Sequence, residues 1–126
     1  EVLRATGRGL AVWQDETPAA LLPVAQAEAL VLRPEVDWLD ARIAQRFKVM
    51  LDQGALAEAE AAMAGWNPRL PSSKAIGAPE LIAHLQGKST LYEAIDAAIL
   101  QSRRYAKRQR TWFRSRMGGW REFPCD

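Results

Sequence analysis

The 126-residue sequence contains one cysteine, Cys125, and one histidine, His84. A lone cysteine cannot form an internal disulfide, and no cluster of Cys and His has the spacing of a metal site. No apolar run reaches the roughly 18 residues that a membrane-spanning helix needs. A basic start followed by an apolar stretch, the pattern of a secretory leader, is also missing. These absences predict a reduced, cytoplasmic setting and no membrane partner.

The usual signatures of a catalytic centre are missing as well. The sequence has no G-x-x-x-x-G-K-[ST] phosphate loop, no Ser/His/Asp grouping and no cysteine placed as a nucleophile. His84 lies within an apolar stretch and is interpreted as structural. We therefore expect the chain to have no complete catalytic centre of its own.

Charge is distributed unevenly along the chain. The net charge is +2, but residues 97–126 carry eight basic and two acidic side chains, whereas residues 1–96 carry nine basic and thirteen acidic ones. A basic end on an otherwise acidic chain is typical of proteins that bind a polyanion. The alternative is an ordinary solvated helix face, which is what most charge runs are.

The spacing of apolar residues predicts a mainly α fold with one short strand. Residues 1–6 are predicted to end a helix at Gly7, and residues 8–27 to be irregular. Residues 29–32 form a short apolar run that predicts a buried strand. Because one strand cannot make a sheet, we expect its partners to lie in sequence upstream of this chain.

The remainder of the chain predicts a series of helices. Apolar residues recur at spacings of three and four from about residue 35 until Gly54. Residues 55–64 are rich in Ala and Glu, which favour helix. A short helix follows the loop at residues 66–77. A capping box at Thr90 and Glu93 then predicts the start of the longest helix, which we expect to reach about residue 116.

This last helix carries two kinds of side chain. Tyr105, Trp112 and Phe113 share a side with smaller apolar residues, so they are interpreted as core residues more than as stacking platforms. The other side is basic, with Arg103, Lys107, Arg110 and Arg114 at helical spacing and Arg104 and Arg108 beside them. Crowded like charges repel one another, and a bound polyanion relieves that repulsion. Guanidinium groups interleaved with aromatic rings are typical of RNA-binding surfaces.

Two further features suit anionic ligands. Arg42 and Arg46 lie four residues apart on one helix face, where two guanidinium groups can hold a diphosphate. From the residues alone, the favoured interpretation is that Asp40 or Glu35 pairs with one of them at the surface. The loop at residues 72–77 brings backbone amides, a lysine and a glycine to a helix start, where they could contact phosphate or an RNA backbone.

Four segments follow one another in a recognisable order. Residues 1–7 read E-V-L-R-A-T-G, residues 42–50 read R-I-A-Q-R-F-K-V-M with a glycine four residues later, and residues 72–77 read S-S-K-A-I-G. Residues 103–114 read R-R-Y-A-K-R-Q-R-T-W-F-R, and this segment is the most specific. Together the segments resemble the C-terminal portion of bacterial tRNA dimethylallyltransferases over nearly the whole chain.

The resemblance implies a parent protein with a P-loop-like α/β nucleotide fold and a helical insertion. That family transfers a dimethylallyl group, with Mg²⁺, from dimethylallyl diphosphate to the exocyclic amine of the tRNA adenosine 3′ of the anticodon. This chain would be a C-terminal fragment in three parts. Residues 1–34 would hold a helix end, a variable segment and the strand, residues 35–88 the helices and substrate loop, and residues 89–126 the tRNA-binding helix and tail.

The resemblance also assigns roles to individual residues. Arg46 would contact the diphosphate as the catalytic residue, with Arg42 beside it. The tRNA anticodon stem-loop would contact two segments: Lys74, Ala75, Ile76, Gly77 and Ala78, and then Arg103, Arg104, Tyr105, Ala106, Lys107, Arg108, Gln109 and Arg110. Ala78 stands where the family usually has Tyr, which puts the contact made by that ring in doubt.

The family's phosphate loop, catalytic carboxylate and Mg²⁺ ligands lie upstream of Glu1, so we expect this chain alone to be inactive. We also expect a monomer. One alternative is a stand-alone helical RNA-binding module without catalysis. A membrane-surface role for the basic helix is less favoured because Ser102 and Gln109 interrupt its apolar side.

Overall fold

The computed structural model describes residues 1–125. Backbone contacts divide this part of the chain into two units, one spanning Glu1–Leu30 and the other beginning at Val31. The second unit holds most of the internal contacts and all of the residues predicted to be functional.

The first unit contains two short helices, α1 (Val2–Thr6) and α2 (Leu10–Asp15), and a 3-10 turn at Val24–Gln26. Gly7 ends α1 with a φ of 72°, and its N–H donates to the carbonyl oxygen of Leu3 at 2.9 Å. The predicted glycine cap is therefore confirmed. Helix α2 lies in a segment that was predicted to be irregular.

Two short strands, β1 (Leu30–Arg33) and β2 (Arg121–Pro124), form a two-stranded sheet. The strand predicted near residue 30 is confirmed, but the expectation that its partner lies upstream is wrong. After the last helix the chain turns, with the N–H of Trp120 donating to the carbonyl oxygen of Met117 at 3.1 Å, and returns alongside β1. Arg33 then pairs with Glu122 across the strands at 2.7 Å. Within β1 only Val31 is buried, so the strand is less buried than predicted.

Four helices make up the rest of the second unit, and the mainly α fold class is confirmed. They are α3 (Val36–Asp52), α4 (Ala55–Ala62), α5 (Ala78–Leu85) and α6 (Leu91–Arg116), with 3-10 turns at Met63–Gly65 and Pro71–Lys74. Helix α6 has 26 residues, which makes it about 39 Å long. At its start the N–H of Thr90 donates to Glu93 Oε2 at 2.7 Å and the N–H of Glu93 donates to Thr90 Oγ1 at 3.2 Å, which confirms the capping box.

The core lies where α5 packs against α4 and α6, with α3 beside them. Its buried members are Phe47, Ala59, Leu81, Ile82 and Ala98. Helix α6 presents alanines to its neighbours at positions 94, 98 and 106, and these small side chains allow the helices to approach closely. The predicted structural role of His84 fits this setting, because its Nδ1 lies 3.0 Å from the carbonyl oxygen of Ser89 and ties the end of α5 to the following turn.

Within residues 1–125, no helix is both long enough and apolar enough to cross a lipid bilayer.

Candidate functional site

A cavity of about 470 Å³ lies between α3, the loop before α5, and α6. Its lining is mainly apolar and includes a single cationic side chain, Arg46. The lining residues are Leu39, Ile43, Arg46, Phe47, Met50, Ile76, Ser102, Tyr105, Ala106 and Gln109. We call this space the interhelical cavity. It combines residues from three of the four segments that the sequence singled out, 42–50, 72–77 and 103–114.

Arg46 lies at the edge of the interhelical cavity. Its side chain is exposed, and it has no ion-pair partner among residues 1–125. Arg46 also lines an adjoining cavity of about 660 Å³ along α3, which it shares with Arg42. A guanidinium group that faces an apolar cavity without a carboxylate to neutralise it is available to an anionic ligand.

Arg42 lies one turn before Arg46 but does not reach the interhelical cavity. Its guanidinium carbon lies 5.1 Å from the centroid of the Trp38 ring, a cation–π contact. The structure therefore brings the two arginines to neighbouring positions on α3, and only Arg46 faces α6. The interpretation that Asp40 or Glu35 pairs with one of them is wrong, because Asp40 pairs with Arg103 of α6 and Glu35 forms no ion pair within residues 1–125.

The loop before α5 is largely satisfied by its own hydrogen bonds. The N–H of Ala75 donates to the carbonyl oxygen of Ser72 at 3.3 Å, that of Ala78 to Ala75 at 3.0 Å, and that of Gly77 to Glu80 Oε2 at 2.9 Å. The N–H of Ile76 has no acceptor within residues 1–125, and its side chain lines the interhelical cavity. Few of the loop amides that the sequence suggested are therefore available to a ligand.

Lys74 lies away from the interhelical cavity. It lines a separate cavity of about 530 Å³ on the α5 side of the loop, together with Lys88 and Trp66. Ala78 is half-buried as the first residue of α5. The predicted loop segment thus presents Ile76 to one cavity and Lys74 to another.

On α6 the predicted segment has two distinct sides. Tyr105, Ala106 and Gln109 line the interhelical cavity, and of these only Ala106 is buried. The basic residues Arg103, Arg104, Lys107 and Arg108 are exposed. Arg110 is half-buried, and its Nη1 atom is shielded from solvent without a hydrogen-bond partner in the described chain.

The aromatic residues of α6 are more exposed than predicted. Tyr105 is 49% exposed and Trp112 is 52% exposed, so interpreting them as core residues is wrong, while Phe113 is half-buried. The neighbouring helices cover the alanine positions of α6, which leaves the larger rings at the margins of the contact. Arg108 lies over the Tyr105 ring at 5.6 Å from its centroid, and Trp112 meets Phe113 edge-to-face at 5.5 Å.

Two features of the site were not identified from the sequence. The apolar spacing of α3 predicted one helix face without saying what it contacts. On that face Leu39, Ile43 and Met50 line the interhelical cavity, and only Phe47 is buried. Helical spacing could have linked them to Arg46, since they share its side of α3. The ion pair between Asp40 of α3 and Arg103 of α6 could not be predicted from a sequence pattern, because its partners are 63 residues apart in sequence.

Clustered metal-binding side chains are not found among the described residues. No group of three or more His, Cys, Asp or Glu side chains lies close enough together within residues 1–125 to hold a metal ion. The expectation that upstream sequence holds Mg²⁺ stays a prediction.

Comparison with known proteins identifies the chain's relatives. The family model described as IPP transferase matches residues 1–116. The chain belongs to the IPP transferase family. This membership accounts for the four segments and confirms the resemblance on which the residue assignments depend.

Several members of the IPP transferase family are closely similar to this chain. A tRNA dimethylallyltransferase from Cereibacter sphaeroides is 67% identical over 122 residues, covering 97% of this chain and 42% of the relative. One from Ruegeria sp. is 58% identical over 120 residues, covering 95% of this chain and 42% of the relative. The chain therefore spans less than half the length of these relatives.

Solved structures of the same family have the same fold. The tRNA isopentenylpyrophosphate transferase of Bacillus halodurans superposes with a TM-score of 0.70 at 38% identity, covering 76% of this chain and 31% of that one. The corresponding enzyme of Staphylococcus epidermidis gives a TM-score of 0.72 at 25% identity, covering 97% of this chain and 39% of that one. The helices around the interhelical cavity thus belong to a fold that these transferases share.

Proposed function

We propose that the whole protein transfers a dimethylallyl group from dimethylallyl diphosphate to the exocyclic amine of the tRNA adenosine 3′ of the anticodon. This chain would contribute the arginine that binds the diphosphate and the helix that binds the tRNA. The observation that carries the proposal is Arg46, an unpaired cation at the edge of a mainly apolar cavity whose other wall is a basic helix.

The cavity has the two properties that this donor requires. A dimethylallyl group is a small hydrocarbon and suits walls such as Ile43, Met50 and Ile76. Its diphosphate is strongly anionic and suits a guanidinium group, which can bind two phosphate oxygens at once. In the proposed complex Arg46 binds the diphosphate while the prenyl chain enters the cavity, and Arg42 adds positive charge one turn away.

The reaction is a substitution at carbon 1 of the dimethylallyl group. The lone pair of the adenine amine forms the new C–N bond, and the C–O bond breaks with its electrons passing to the diphosphate. The amine then loses a proton to a general base, a role that the resemblance gives to a carboxylate upstream of this chain. Arg46 would stabilise the charge that develops on the departing diphosphate, and a fixed donor of this kind contributes about 10²–10³-fold to rate in enzymes.

Helix α6 supplies the features that an RNA ligand needs. Its exposed cations Arg103, Arg104, Lys107 and Arg108 can contact phosphates, which would give binding a strong dependence on salt. The half-exposed ring of Tyr105 lies at the cavity, where it can stack on a base that has left the anticodon loop. We therefore propose that residues 103–110 bind the tRNA and that Tyr105 faces the flipped adenosine.

The loop before α5 adds a second contact in this proposal. Lys74 is exposed and offers a flexible cation, and the free N–H of Ile76 lies at the cavity edge. The N–H groups of Ala75, Gly77 and Ala78 already donate hydrogen bonds within the loop and to Glu80. These residues would therefore contribute to tRNA binding through van der Waals contact and not through hydrogen bonds. Position 78 carries the methyl group of Ala, so the contact that a Tyr ring would make there is lost.

The decisive experiment uses the full-length protein that contains this segment, with unmodified tRNA and labelled dimethylallyl diphosphate. We expect label to appear at the adenosine 3′ of the anticodon, and none to be transferred when this chain is assayed alone. Transfer by the isolated chain would contradict its assignment as a partial active site.

A second candidate is an RNA-binding module without catalysis. The basic helix with exposed Tyr105 and Trp112 favours it, because these features bind RNA whether or not a reaction follows. Tight tRNA binding by the full-length protein without any transfer of label would support this candidate against the transferase. The cytoplasmic location, the monomeric state and the upstream Mg²⁺ site stay predictions.

A further inference from the structure

One ion pair connects the two helices that form the main walls of the interhelical cavity. Asp40 Oδ2 of α3 lies 3.1 Å from Arg103 Nε of α6. The two side chains are 30% and 44% exposed, so the contact is neither buried nor fully solvated. Within residues 1–125, the other exposed cations of the segment, Arg104, Lys107 and Arg108, have no carboxylate partner.

The position of this pair is informative. Asp40 directly follows Leu39, and Arg103 directly follows Ser102, and both of these neighbours line the interhelical cavity. The pair therefore spans α3 and α6 next to the cavity that also holds Arg46. Replacing Asp40 would therefore alter the orientation of its partner Arg103 on α6, but it would remove no side chain from the cavity lining.

An arginine side chain loses considerable conformational entropy when it binds a phosphate. The contact of Asp40 with Arg103 is at Nε, and Arg103 has no other ion-pair partner within residues 1–125, so its terminal nitrogens can still meet an anion. Because the guanidinium group is planar, fixing one of its nitrogens also fixes the direction of the others. A pre-oriented arginine binds an anion with less entropic loss than a free one.

We propose that Asp40 is a positioning residue for tRNA binding. It orients Arg103 so that the terminal nitrogens of this arginine meet a phosphate of the RNA beside the interhelical cavity. This inference rests on the proposed function, since it requires α6 to bind tRNA.

Simple electrostatics predicts the opposite effect. Asp40 carries a negative charge close to a surface that binds a polyanion, so removing that charge should strengthen tRNA binding. If Asp40 positions Arg103, removing the charge should weaken binding instead. The two explanations therefore differ in the sign of one measurement.

The test compares Asp40→Asn with Asp52→Asn in the full-length protein. Asp52 lies on the same helix, is exposed and has no ion pair within residues 1–125, so its variant removes the same charge without disturbing Arg103. We expect Asp40→Asn to raise the KM for tRNA about two- to fivefold, in keeping with the range for partly exposed ion pairs. Asp52→Asn should leave this KM unchanged or lower it slightly.

The salt dependence of tRNA binding separates positioning from a general loss of structure. If Arg103 no longer meets its phosphate, Asp40→Asn should reduce the slope of log K against log salt by up to about one unit. A variant that only loosens the helices would weaken binding without this change in slope. Asp40→Glu keeps the carboxylate and should restore a large part of the binding, and equal thermal melting of the variants would exclude unfolding.

A double-mutant cycle completes the test. With Arg103→Ala as the background, Asp40→Asn should have no further unfavourable effect on the KM for tRNA. An unchanged or lowered KM for Asp40→Asn in the otherwise native protein would overturn the positioning role. If the native protein neither binds nor modifies tRNA, the proposed function itself fails, and this outcome is distinguished by the wild-type measurement alone.

Discussion

Gly77 and Phe47 are in such close contact that a side chain at position 77 would not fit. A Cβ atom built on Gly77 would lie 2.9 Å from Phe47 Cε2 and 3.5 Å from its Cζ. Gly77 also has a φ of 99°, a conformation that other residues rarely adopt. The backbone of the loop thus rests directly on a core ring of α3, and this contact brings Ile76 to the same cavity as Arg46.

Replacing Gly77 by alanine should destabilise the protein and displace the loop. The positive φ and the overlap with Phe47 act together, and we expect a loss of about 2–4 kcal/mol in the free energy of unfolding. Gly87→Ala is the matched control, because Gly87 has a φ of 72° but no atom within 4 Å of its Cβ position. Urea unfolding of both variants measures the difference, and equal losses would show that the ring contact contributes nothing.

Replacing Arg46 by alanine should impair catalysis more than tRNA binding. Arg46 is unpaired at the edge of the interhelical cavity, and its loss would remove the donor proposed to bind the diphosphate. We expect kcat/KM for dimethylallyl diphosphate to fall about 100-fold. The dissociation constant for tRNA should change less than about threefold, which corresponds to a binding free-energy change below about 1 kcal/mol.

Lys48→Ala provides the control for this measurement. Lys48 is an exposed cation on the same helix but lines neither cavity that contains Arg46. Its removal changes the net charge by the same amount as the loss of Arg46. A similar fall in kcat/KM for both variants would indicate general electrostatics and argue against a specific contact with the diphosphate.

Removing cations from α6 should weaken tRNA binding and make it less dependent on salt. For Lys107→Ala and Arg104→Ala, each lost phosphate contact should reduce the slope of log K against log salt by about one unit. Binding titrations at several salt concentrations measure this slope. Arg69→Ala, in the exposed loop before the 3-10 turn at Pro71–Lys74, is the control and should leave the slope unchanged.

The start of α6 should become less stable as the pH falls into the acid range. Hydrogen bonds from the backbone N–H and the side-chain hydroxyl of Thr90 lower the pKa of Glu93 below its usual value. A carboxyl whose pKa is lowered by folding stabilises the fold above its unfolded pKa, and this contribution is lost as the pH falls through the lower, folded value.

Glu93→Gln tests this dependence, since the amide does not titrate. Thermal melts of the native protein and the variant should differ most near neutral pH and converge in acid. Asp96→Asn, an exposed carboxylate one turn later on α6, is the control and should keep the native pH dependence. Parallel melting curves for the native protein and Glu93→Gln at all pH values would contradict a role for the ionised capping box.

The sequence determined the helices of this protein except α2, because their signals are local. The cap at Gly7, the capping box of Thr90 and Glu93, and the apolar spacing of α3 depend on residues within a few positions of one another, and each was found where it was predicted. The family, too, could be identified from ordered segments of the chain. A side chain's neighbours along a helix are fixed by helix geometry, so this level of structure can be read directly.

Only the tertiary structure decided which residues meet across the fold. The pairing of β1 with β2 and the ion pair of Asp40 with Arg103 join parts of the chain that lie far apart in sequence. The exposure of Tyr105 and Trp112 likewise depends on which distant segments pack against α6. Small alanines on α6 take the core positions, so its large rings stay outside, and helical periodicity alone cannot distinguish a cavity wall from a packed core. The interhelical cavity exists because α3, the loop before α5 and α6 pack together in this way, and no local sequence pattern specifies that packing.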